Sequence, residues 1–132
     1  MVTGEEENGI SYLKTGTVEQ AVLARKGDDV RIDWGYFYLA APTEVQTEMK
    51  ISDRNQLVYS HDPGSVSASP ATGFRMVGYD DLYAIQYFKD NRMAYWKHNG
   101  EKNIRQAFEE ASAQYRSLMN RCRRFDNRLM ED

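Results

Sequence analysis

Val30-Arg31-Ile32-Asp33-Trp34-Gly35-Tyr36-Phe37-Tyr38-Leu39-Ala40-Ala41 is the stretch that decides the fold class. Val30, Ile32, Trp34, Tyr36 and Tyr38 alternate with Arg31, Asp33, Gly35, Phe37 and Leu39. A period of two in β-branched and aromatic residues predicts a strand, because successive side chains of a strand point to opposite faces. Gly27-Asp28-Asp29 before it and Pro42 after it are turn signals. The second face changes from polar (Arg31, Asp33) to apolar (Phe37, Leu39), so one end is expected to be wet and the other buried on both sides.

Working outward, Asp81-Leu82-Tyr83-Ala84-Ile85-Gln86-Tyr87-Phe88 predicts a second aromatic strand, between Gly78 and a turn at Lys89-Asp90-Asn91. Met93-Ala94-Tyr95-Trp96 extends or ends it. Weaker strands are expected at Thr43 to Ile51, Gln56 to Ser60 and Phe74 to Val77, with short candidates at Ile10 to Leu13 and Ala21 to Ala24. Pro63 to Gly73 is small and polar and reads as a loop.

From Ile104 the period changes. Ile104, Ala107, Phe108, Ala111, Tyr115, Leu118, Cys122, Phe125 and Leu129 step by three or four. That is a helical stripe of about seven turns. Asn103 with Gln106 makes a capping-box pattern, and arginines gather late, where the helix dipole favours cations. The expected fold is therefore mainly β: an antiparallel, β-sandwich-like region over residues 1–102, then one long C-terminal α-helix over 103–132, α+β overall. Residues 1–9 are expected to be a flexible lead. Leu118, Cys122 and Phe125 are expected to face protein, with Leu118→Ala costing about 2–5 kcal/mol.

Composition narrows the function. The 132 residues carry 17 Lys and Arg against 20 Asp and Glu, a net charge of -3, which lacks the basic footprint of a generic nucleic-acid binder. Mean hydropathy is -0.73, and no apolar run approaches the roughly 20 residues of a membrane helix. One cysteine, Cys122, rules out an internal disulfide. No cofactor or metal site is expected: His61 and His98 stand beside turn residues without ligand spacing. Asp80-Asp81 reads as a turn that starts a strand, since adjacent strand carboxylates point apart. Cys122 reads as a packed thiol. Asp33, Trp34 and Tyr36 are the candidate binding residues, Asp33 as a carboxylate that could instead pair with Arg31, the aromatics as a platform that could instead be core. There is no phosphate loop, serine elbow or zinc motif.

Tyr12-Leu13-Lys14-Thr15-Gly16-Thr17, Arg31 to Ala40, Tyr79 to Phe88, Tyr95-Trp96 and the segment Cys122 to Met130 resemble the central, non-catalytic region of secreted bacterial and fungal glutaminases. The resemblance implies a β-sandwich running into a helical catalytic region, in a parent amidohydrolase that turns glutamine into glutamate and ammonia. It implies a periplasmic or extracellular parent and partners in that parent's remaining domains. The chain itself would be a piece without activity, whose uncovered surfaces favour self-association. The alternative is a glycan-binding β-sandwich module, for which burial of Trp34 is the discriminating observation.

Overall fold

The computed structural model describes residues 2–24, 33–43, 47–54 and 56–131. Among the described residues eight strands precede one long helix: β1 (Val2–Glu7), β2 (Ile10–Gly16), β3 (Tyr36–Pro42), β4 (Thr47–Ile51), β5 (Leu57–His61), β6 (Met76–Asp80), β7 (Ile85–Tyr87), β8 (Asp90–Arg92) and α1 (Ile104–Glu131). Every pairing is antiparallel. The main sheet has the order β1-β2-β3-β6, and β4–β5 and β7–β8 are separate hairpins. Strands first and helix last is the α+β arrangement expected.

Period two sets the two faces of the main sheet. Ile10 and Tyr12 of β2 and Tyr38 and Ala40 of β3 share one face and are buried with Phe108 of α1. Tyr38 lies between Tyr12 and Phe108, both ring centroids 6.1 Å away. Leu13, Leu39 and Ala41 are buried on the opposite face, and β4 and β5 both approach β2.

The helix is seated by two devices. Gly78, opposite Tyr38 in the β3–β6 register, leaves room for the Phe108 ring: a Cβ there would lie 2.8 Å from its Cζ. Arg105 clamps the sheet edge, with Nη2 2.6 Å from Glu5 and Nη1 2.7 Å from Glu7. The Tyr12 hydroxyl donates to the same Glu5 oxygen at 2.7 Å. The capping box forms as expected. The Gln106 amide nitrogen donates to Asn103 Oδ1 at 3.0 Å, and the Asn103 amide nitrogen donates to Gln106 Oε1 at 2.9 Å.

Several expectations are corrected. Residues 2–7 are not a flexible lead but β1, fully registered on β2. The first aromatic strand starts at Tyr36, because Gly35 at φ 88 breaks the extended run; Val30, Arg31, Ile32 and the turn at Gly27-Asp28-Asp29 lie outside the described residues. The second aromatic stretch is a hairpin, with Phe88 (φ 46) and Lys89 (φ 70) at its turn. Gly78 is inside β6 rather than at a turn, Tyr95–Gly100 is a 3-10 segment, and Ala21 to Ala24 is not a strand. Glu44, Val45, Gln46 and Asn55 also lie outside the described residues.

The helix stripe is covered along part of its length. Phe108 is buried and Tyr115 stacks on Phe74 at 4.1 Å, but every residue from Ala113 to Glu131 is exposed. Leu118 is 37% exposed and Phe125 54%, and Cys122 is exposed too, contrary to the expectation that all three face protein. Regular spacing identifies an apolar stripe but does not supply its cover.

Asp80 does not open a strand but ends β6, buried, with Lys97 Nζ 2.5 Å from its Oδ1. The same oxygen accepts from the Leu82 amide at 2.9 Å.

Three outcomes follow from this packing. Phe108→Ala should cost about 3–5 kcal/mol in urea unfolding, while Leu118→Ala stays within about 0.5 kcal/mol as an exposed site does. Lys97→Met should cost about 3–5 kcal/mol by leaving Asp80 buried and unpaired, and Asp80→Asn added to it should restore part of that loss. Glu5 is held below the usual carboxylate range by the Tyr12 hydrogen bond first and by Arg105. A depressed value contributes stability above the unfolded pKa and loses it as pH falls through the folded one. The melting-temperature gap between the wild type and Glu5→Gln should therefore close as the pH is lowered through and below the carboxylate range.

Candidate functional site

Two places gather unusual chemistry: the corner beneath Trp34 and the uncovered length of α1. At the corner, the Trp34 indole Nε1 donates to the carbonyls of Asp81 (2.7 Å) and Tyr83 (3.2 Å). The Tyr79 hydroxyl donates to the Trp34 carbonyl, and the Gly35 amide donates to Gln20 Oε1. Gly35 is required there: its φ is +88 and a Cβ would meet the Asp80 carbonyl at 2.5 Å. Trp34 is 3% exposed, so it is a bolt between the β3 approach and the segment after β6, not an open platform.

Asp33 lies half-buried beside this bolt. Burial raises the Tyr79 hydroxyl pKa, and the charges of Asp81 and Asp33 raise it further, which keeps the hydroxyl a donor. Asp81 Oδ1 is buried without a hydrogen-bond partner among the described residues. Tyr36 is half-buried on β3, where Lys14 Nζ sits 3.6 Å from its ring centroid. The three candidates thus neighbour one another along the chain, with Trp34 turned inward. Tyr38 beside them is pushed up to about 12 by burial first and the Asp80 charge second.

The other sequence candidates are dispersed. His61 ends β5 and His98 sits in the 3-10 segment at φ 47, both exposed. Cys122 is on the side of α1. Among the described residues no cluster of three or more His, Cys, Asp or Glu side chains could hold a metal, and no helix is long and apolar enough to cross a membrane.

The uncovered length of α1 is the second place; there Leu118, Cys122 and Phe125 were expected to face protein. Leu118, Cys122 and Phe125 form an open apolar line along it, with Arg121, Arg124 and Arg128 to one side and Asp126 to the other. Residues 113–131 carry Arg116, Arg121, Arg123, Arg124 and Arg128 against Asp126 and Glu131, in a chain that is acidic overall. At about 1.5 Å per residue this length projects about 28 Å beyond its seat. An apolar line flanked by arginines can bind a complementary surface.

Comparison with known proteins shows similarity to phosphatidylcholine-sterol acyltransferases. The Mus musculus protein is 30% identical over 80 residues, covering 61% of this chain and 18% of the relative. The Rattus norvegicus protein is 28% identical over 80 residues, with the same coverage. The protein of Gerbilliscus gambianus is 31% identical over 52 residues, or 39% of this chain. The aligned part thus spans under a fifth of these curated relatives, each covered over 18% of its length. The glutaminase resemblance is corrected by this finding, and the amidohydrolase parent and the glycan-binding alternative go with it. No solved structure matches. A family model described as "Domain of unknown function (DUF5127)" matches residues 45–132, more than half of the chain, and the chain belongs to that family.

Proposed function

We propose that this chain is the docking module of a larger acyltransferase-type enzyme, joined to the remaining domains of that enzyme through the uncovered length of α1. The observation that carries the reading is the exposure of every residue from Ala113 to Glu131 on a helix whose first turns are firmly seated. A helix stabilised by its own sheet at one end, and presenting an apolar stripe at the other, holds a second body at a fixed direction. Similarity to phosphatidylcholine-sterol acyltransferases supports an acyl-transfer or ester-cleaving parent. In this reading the reacting groups lie in the parent's other domains, and the sheet with its Trp34 bolt sets the direction of the helix.

The intact gene product should transfer an acyl group from phosphatidylcholine to a sterol, or hydrolyse a simple ester. In that intact protein Leu118→Asp with Phe125→Asp should lower the activity by about tenfold or more, the scale of losing a buried interface anchor. An intact product with neither activity, or one indifferent to both substitutions, would overturn the reading.

A further inference from the structure

The stripe on α1 specifies what sits on it. We propose that residues Leu118 to Leu129 receive an acidic amphipathic helix, packed along the seam of Leu118, Cys122, Phe125 and Leu129; this rests on the docking role proposed above for the same helix.

The spacing is the first ground. Leu118, Cys122, Phe125 and Leu129 step by four, three and four, the two-per-heptad repeat of helix-on-helix packing, with Met119 at the edge of the seam. A helix that lies in a lipid surface presents a broad apolar arc instead. Here Asp126 lies beside Cys122 and Phe125 on the same side of the helix, and Leu118 and Phe125 remain 37% and 54% exposed. A carboxylate against the seam is costly in an acyl layer, whereas a protein can supply it with a donor.

The charges are the second ground. In the heptad register set by the seam, Arg121 and Arg128 flank one side and Asp126 the other, with Arg116, Arg123 and Arg124 further out. Glutamates or aspartates on the arriving helix would pair with this arginine row.

A second copy of this chain fits poorly in either direction. In a parallel pair the stripe's first half is already occupied, since Phe108 packs at Gly78 and Tyr115 stacks on Phe74. The second copy's helix would run into this chain's own sheet. In an antiparallel pair the sheets clear each other, but Arg121 of one copy then meets Arg128 of the other, a like-charge contact along the seam.

The test uses this chain and labelled synthetic helices of about 21 residues, three heptads. One peptide has leucine at the seam positions and glutamate at the flanks; its control has lysine at the flanks. Fluorescence anisotropy should show the glutamate peptide binding at least about tenfold tighter than the lysine peptide, with a preference that shrinks in high salt. Arg121→Glu with Arg128→Glu should reverse the order of the two peptides while leaving the thermal melt unchanged, because both sites are exposed. Equal binding of the two peptides, or binding of neither, would overturn the proposal. So would tighter binding to phosphatidylserine-rich vesicles than to the glutamate peptide, or a dimer in sedimentation that Leu118→Ser dissolves. None of these measurements involves acyl transfer, so the partner's chemistry can fail or stand independently of the parent's activity.

Discussion

Phe108 presses onto the sheet because position 78 carries no side chain. The ring occupies the space a Cβ would take, and Ile104 Cδ1 would lie 3.1 Å from the same point. This contact ties the main sheet to the helix, since the buried cluster of Ile10, Tyr12, Tyr38 and Ala40 closes on Phe108. The Arg105 clamp to Glu5 and Glu7 then fixes rotation about that seat. Surface ion pairs contribute little stability alone, but two on one guanidinium define an angle. With the seat in the first three turns, the direction of everything after Ala113 is inherited from it.

The legible parts of the fold were those governed by local rules. The helix from Ile104, its Asn103–Gln106 cap and the order of strands before helix follow from spacing and side-chain chemistry near in sequence. Breaks in the strands were less visible. Gly35 reads as one more position in an alternating run, and its positive φ arises from the approach of the Asp80 carbonyl, 45 residues away in sequence. Phe88 and Lys89 make a hairpin turn with residue types that rarely accept positive φ, so turn chemistry pointed instead at Lys89-Asp90-Asn91. The Asp80–Lys97 pair spans 17 residues and two irregular segments, and nothing local marks it.

The candidate site was legible in a different sense. Asp33, Trp34 and Tyr36 do lie at a conspicuous place, but its chemistry is inward. An indole bonded to two backbone carbonyls ties two segments of the chain together, and that is a structural use of an aromatic residue. Periodicity located the α1 stripe correctly and assigned its cover wrongly. A stripe of Leu, Cys and Phe looks the same in sequence whether its own sheet or another body lies against it.

Two covers for one stripe, its own sheet and the proposed partner helix, would account for the distribution of charge along α1. Where the helix meets its own sheet, Arg105 and Lys102 are matched by Glu5, Glu7 and Glu110 within the chain. Past Ala113 five arginines stand against two carboxylates, Asp126 and Glu131. An exposed apolar seam is a hazard, since it favours association with any similar surface. The arginine flank reduces that hazard: Arg121 and Arg128 oppose antiparallel pairing of like copies and favour an acidic surface on that side. The spacing acts the same way, because side chains four, three and four apart offer a full row of contacts to a helix. Selectivity along α1 thus comes from the rim and the spacing, and the apolar residues supply attraction once both are matched.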